Sequence, residues 1–241
     1  MLHKEKTHHK KENLWINLIF NIVIPSFILS KLSGDNHLGP TLGLIVALAF
    51  PLSYGLMDFR SRQKINIFSI LGLVSTLLTG TISLMKLDPK YIAIKEAAIP
   101  SLIFIAVLIS TWSSYPLVEK LIFNEAIFDM DKLEAELDKL NGFDKLNSIL
   151  KTSSYFVASS FLLSAVLNYA LAKYIVVSQP GTEIYNEELG KLAIYSYPII
   201  ALPCTLIMAG TLYYLIHNLQ KIIGQDIEEF LLIGKPQSPE N

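Results

Sequence analysis

Of the five charged residues in KLDPKYIAIKEAAIP, residues 86–100, three raise a question of chemistry: Asp88, Lys95 and Glu96. A charge at the middle of a helix in hydrocarbon costs about 2.5–3.5 kcal/mol on insertion scales, so such residues mark ion paths, proton relays or buried partners. Glu96 is read as an interior, functionally titrating carboxylate. Lys95 has a longer stem, and Cβ bonds tilt toward the helix N-terminus, so it is read mainly as an interfacial anchor that snorkels outward. Arg would fill that role equally well. Asp88 would then serve as helix cap and outer relay. The unbroken apolar run AAIPSLIFIAVLISTW is somewhat short for a span, and local thinning of the bilayer would leave both charges at its edge.

Hydroxyl and amide groups on other segments complete the candidate site: Thr76, Thr79 and Asn168. The chemistry these residue types offer is proton transfer or coordination of a small solute. No phosphate-cradling glycine loop, nucleophile–base pair or metal-ligand cluster is present, so no enzyme activity, cofactor or metal is expected. His3, His8 and His9 have no spacing that fixes a coordination geometry; their Lys-rich surroundings read as a basic tail on anionic lipid.

The elements that must position these residues are helices in a membrane. Of 241 residues, 51% are hydrophobic and only 17% charged, and apolar runs alternate with short charged clusters. A net charge of −1 leaves no basic face for nucleic acid. The single cysteine, Cys204, excludes an internal disulfide. The expected fold is an all-α membrane protein, a bundle of six transmembrane helices at about 14–32, 38–58, 66–85, 90–114, 154–177 and 194–217. The first run lacks a small-residue cleavage site and is read as a retained span. The expected domains are a basic tail (1–13), spans one to four (14–115), an amphipathic segment (116–153), spans five and six (154–217) and a C-terminal tail (218–241).

Orientation follows from the basic residues. Fourteen of the 20 Lys and Arg lie in the N-terminal tail, the segments after the second and fourth spans, and the C-terminal tail. Those parts, with both termini, are therefore expected to be cytoplasmic. Asp88-Pro89 is a good N-cap and first-turn pair, and Gly39-Pro40-Thr41 opens the second span in a similar way. Pro25, Pro51, Pro100, Pro198 and Pro203 fall inside spans, where each frees a carbonyl for another partner.

Two small-residue seams are expected to pack. Ser69, Gly72, Thr76, Thr79 and Ser83 share one face of span three, and Ser160, Ser164, Asn168 and Ala172 one face of span five. Asn168 requires a hydrogen-bond partner, expected across the interface. Either seam would serve equally as the wall of a polar cavity. Between spans four and five, DMDKLEAELDKLNG sets Met130, Leu133, Leu137 and Leu140 at helical spacing. Asp131 with Glu134 would make a capping box and Gly142 would close the helix. The segment is read as one cytoplasmic amphipathic helix lying across the bundle, or as a docking surface for a protein. SQPGTEIYNEELGK reads as a solvated outer loop; its Glu183, Glu187 and Glu188 would suit a cation-gathering vestibule.

The central block LTGTISLMKLDPKYIAIKEAAIPSLIFIAVLIS resembles a bacterial inner-membrane family related to intracellular septation protein A. LIFNE, SFLLSAVLN, NEELGKL and SYPIIALP resemble further blocks of that six-helix family, so the likeness runs over most of residues 15–217. It implies a multi-pass protein of the cell inner membrane, acting in envelope integrity with division or envelope partners and with no established chemistry. The chain departs from the pattern in its longer segment between spans four and five and its extra final hairpin. GLMDFRSRQK, residues 55–64, also looks like the loop between helices two and three of major facilitator transporters. Its internal glycine is missing and its Arg spacing is shifted, and six helices are half of that fold. Two functions follow as expectations: a small transporter-like protein with a polar site around Glu96, or a non-transporting, septation-associated protein that binds partners.

Overall fold

The computed structural model describes residues 14–62, 67–113, 116–123 and 128–232. The described residues form eight helices and a short 3-10 turn (Ile227–Glu229): α1 (14–32), α2 (Gly39–Arg62), α3 (Ile67–Leu84), α4 (Lys90–Ser110), α5 (Leu117–Ile122), α6 (Met130–Lys139), α7 (Phe143–Ile175) and α8 (Glu183–Ile223). Among the described residues there is no strand, only one bridge between Phe128 and Leu231. Four helices among the described residues are long and apolar enough to cross a membrane: α2 over Gly39–Met57, α4, α7 and α8. Two shorter apolar helices, Ile19–Leu32 and Ile70–Leu84, stand where the first and third spans are expected. At most 28% of any of the four apolar windows is buried inside the chain, so their hydrophobic surface faces outward and suits a lipid solvent. The apolar runs located α7 and α8 correctly, but both helices begin about three turns earlier, at Phe143 and Glu183.

Helix ends follow local chemistry. Asp88 accepts a bond from the backbone N–H of Lys90 at 2.9 Å, which makes it the N-cap of α4 with Pro89 in the first turn. α3 closes with paired bonds, Leu87 N–H to Ile82 C=O and Lys86 N–H to Ser83 C=O, which require left-handed backbone at Lys86 (φ 54°). The same motif ends α6, with Asn141 as the left-handed residue. Gly142 is instead needed for a close approach: a Cβ there would stand 2.7 Å from Ile222. The start of α6 also differs from expectation. Asp129, not Asp131, caps it by accepting from Lys132 N–H at 3.2 Å, because the helix begins one residue before Asp131.

Prolines leave a visible trace. α1 widens into π turns at Ile19–Val23 and Ile28–Leu32 on either side of Pro25, and α8 does so at Tyr197–Ala201 around Pro198. A wider turn moves a carbonyl out of the ring's way where proline has removed a hydrogen bond.

The described residues form two compact units. The first comprises the chain up to Lys95 together with Ala170–Ser196. Its core joins Ile28, Leu44, Ile82, Ile92, Val176 and Tyr185. Gly190 lets α8 lie against α1; a Cβ there would meet Ser30 Oγ at 2.5 Å and the Ser26 carbonyl at 3.1 Å. The second unit comprises Glu96–Tyr169 and the chain from Tyr197 onward. In it Leu133 and Leu137 of α6 pack with Leu215, Leu219 and Ile223 of α8, and Phe230 closes the cluster. Leu140 remains exposed, so the apolar stripe of α6 is narrower than its spacing suggests.

Candidate functional site

α3 presents Ser75, Thr79 and Ser83 every fourth residue, hence on one face. Thr79 Oγ1 donates to the Ser75 carbonyl at 3.1 Å, and Ser83 Oγ to the Thr79 carbonyl at 2.7 Å. With those protons committed, the hydroxyl oxygens are acceptors. Lys95 of α4 donates from Nζ to Ser75 Oγ at 3.1 Å and to Thr79 Oγ1 at 2.9 Å. Lower on the same face, Tyr185 of α8 lies 2.8 Å from Ser83 Oγ and, since the serine proton is taken, is the donor. Lys95, Thr79, Ser83 and Tyr185 thus form one continuous polar ladder in the first unit.

The direction of Lys95 differs from the outward one expected of an interfacial anchor. Its Cα stands five residues into α4, about 7.5 Å along the axis, while Ser75 lies nine residues before the end of α3, about 13.5 Å. The stem therefore runs inward along α3 rather than outward. A bond from a charged donor is worth about 1.5–3 kcal/mol, and two hydroxyls offset the loss of water that drives snorkelling.

The other expected residues are placed as follows. Asp88 is exposed beside Lys90, 3.3 Å from its ammonium. The backbone N–H of Lys90 holds its carboxyl below the usual carboxylate value. Thr76 turns back to the Gly72 carbonyl at 3.0 Å. Gly72 has nothing near its missing Cβ, so the packed seam of α3 runs through Thr79 and Ser83 rather than Gly72 and Thr76. Ser69 has no described side chain. Glu96, half-buried, belongs to the second unit, as does Asn168. Asn168 donates to its own helix, to the carbonyl and hydroxyl of Ser164 at 2.8 and 3.2 Å, instead of reaching across an interface. The seam residue that does cross is Ser160, which donates to the Cys204 carbonyl at 3.2 Å.

The NEELGK segment is helical rather than a loop, with Asn186, Glu188, Leu189 and Gly190 buried while Glu187 and Lys191 pair at the surface. Glu188 accepts from the N–H groups of Val177 and Ser178 and from the Ser178 hydroxyl at 2.7–3.0 Å. Asn186 donates to Ser33 Oγ and the Pro40 carbonyl at 3.0 and 2.7 Å. These polar side chains fasten the turns after α1 and α7 to the start of α8. Four-residue spacing of Ser75, Thr79 and Ser83 was a usable signal for the ladder. Nothing in the sequence pointed to Tyr185. Among the described residues no group of His, Cys, Asp and Glu could hold a metal ion. The tail histidines and Gln63–Lys64 lie outside the described residues.

The fold and this site together define an all-helical chain with four helices able to cross a membrane and a lysine held among hydroxyls between two helices. Comparison with family models, curated proteins and solved structures returns no match to the chain.

Proposed function

We propose that the protein is a small transporter-like protein of the bacterial inner membrane and cell envelope, with an intramembrane polar site that passes a small solute or its coupling proton. The observation that carries this reading is the inward-pointing Lys95 ammonium on Ser75 and Thr79. An ionisable group kept at such depth, at a cost of several kcal/mol, is a functional group by default. Glu96, next along α4, is proposed as the carboxylate that exchanges with the path, and Asp88 as its outer relay. Six crossings with both termini cytoplasmic fit the pattern of contacts. In the first unit the turns after α1, α3 and α7 gather around the start of α8. In the second, the α5–α6 segment meets the chain end beyond α8.

The alternative, a septation-associated protein that works through partners, draws its support from the sequence resemblance. Its expected docking surface is reduced, because Leu133 and Leu137 are already buried within the chain. Complementation of a deletion strain, scored together with membrane abundance, separates the two. Glu96→Gln and Lys95→Met should insert at normal levels and lose function. Lys95→Arg should also fail, since a planar guanidinium does not fit the two-hydroxyl seat of an ammonium. Full activity of Glu96→Gln and Lys95→Met at normal abundance would remove the transport reading and leave the partner-binding one.

A further inference from the structure

The outward face of α8 changes character along its length. Leu202, Leu206 and Tyr213 are exposed at 61%, 65% and 70%, and their spacing puts them within about 40° of one another around the helix. Continuing along that stripe, the chain reaches a shallow concavity lined by His217, Gln220, Lys221, Gly224, Gln225 and Asp226. Gly224 closes the helix in a left-handed conformation, its N–H on the Gln220 carbonyl. Asp226 begins the next short turn without using its carboxylate as a cap. Among the described residues, no side-chain hydrogen bond or ion pair engages Lys221, Asp226, Gln220 or Gln225. A cation and an anion thus share one concavity without pairing, at the end of an apolar helix face.

We propose that this concavity seats the head group of a zwitterionic phospholipid carrying a primary ammonium, a phosphatidylethanolamine. The phosphate is matched by Lys221 and His217. The ammonium is matched by Asp226, by the Gln220 and Gln225 amide oxygens, and by the negative end of the helix. The acyl chains then follow Tyr213, Leu206 and Leu202. A quaternary ammonium is the poorer fit, because it cannot donate hydrogen bonds to those oxygens. It prefers an aromatic cage, and the ring of Tyr213 is instead stacked on His217 at 5.6 Å. The proposal is independent of the transport reading.

The test is native mass spectrometry of the full chain in mild detergent, with phosphatidylethanolamine or phosphatidylcholine of identical acyl chains added. The wild-type protein should retain the ethanolamine lipid about fivefold better, the size expected for one exposed charged contact. Asp226→Asn should abolish that preference while leaving phosphatidylcholine retention unchanged. Lys221→Met should weaken both lipids alike. Water-soluble phosphoethanolamine at equal concentration should not displace the lipid, because it lacks the chains. Equal retention of the two lipids by the wild type, or a preference that survives Asp226→Asn, would overturn the proposal. Displacement by phosphoethanolamine would replace the lipid with a free phosphoester.

Discussion

Lys95 and Thr79 were both legible as polar residues in an apolar setting, but their meeting was not. A lysine stem reaches either way along a helix, and only the neighbouring surface decides which. Here Thr79, with its own proton on the Ser75 carbonyl, and the Ser75 hydroxyl together give Lys95 two acceptors on one face of α3. Glycines make the sharpest residue-scale prediction. Gly190→Ala should cost about 1–3 kcal/mol, because the new methyl meets Ser30 and the Ser26 carbonyl. Gly210→Ala should be neutral or slightly stabilising, having open space and better helix propensity. Thermal unfolding in detergent, followed by circular dichroism, would rank them; equal melting temperatures would mean that α8 does not lie on α1 as described. Asp88 gives a pH test. Its folded value is depressed below the ordinary 3.8, so its capping contribution is present above that value and lost as pH falls through the lower folded one. The stability gap between wild type and Asp88→Ala should therefore be present at pH 7 and shrink below pH 3.8.

At the scale of elements, apolar periodicity located every long helix but misjudged what surrounds it. The start of α8 reads as polar because Asn186 and Glu188 are polar, yet both are buried, since each satisfies groups left over at the neighbouring turns. Buried side chains that serve backbone donors look, in sequence, like a solvated loop. α6 errs the other way: four apolar residues at helical spacing suggest a wide stripe, but the chain end covers only part of it. Asp129 N–H bonds to the Phe230 carbonyl at 2.9 Å, and the Lys132 ammonium lies 5.1 Å from the Phe230 ring centroid. Leu137→Ala should therefore destabilise by about 2–5 kcal/mol, and Leu140→Ala by little. Limited proteolysis of the 117–142 segment is a suitable readout, with faster cleavage expected only for Leu137→Ala.

For the whole molecule, the number of crossings is the quantity that composition suggests and geometry leaves at four long helices with two shorter ones. If all six cross, reporter fusions at Asn36 and Asp88 should read external, and fusions at Gly142 and the C-terminus cytoplasmic. A cytoplasmic reading at Asp88 would remove the pairing of α3 and α4 as crossing helices and, with it, the depth assigned to Lys95. The clustering of alternate turns groups them on one side, and the positive charge bias is what assigns that side to the exterior. The two observations are independent, since one counts lysines and the other depends on Asn186, Glu188 and Lys86 touching turns far apart in sequence.

The π turns in α1 and α8 have a consequence for heredity. Removing one residue from an α-helix rotates everything beyond it by about 100° and shortens it by 1.5 Å, which scrambles every face downstream. Removing one from a π turn leaves an ordinary turn, with the following residues still in phase. Residues 19–23, 28–32 and 197–201 are therefore places where this gene can lose a codon within a helix and still encode the same packed faces. Descendants of a common ancestor should differ in length by single residues there, and a library of one-codon deletions across α8 should keep its survivors in that window.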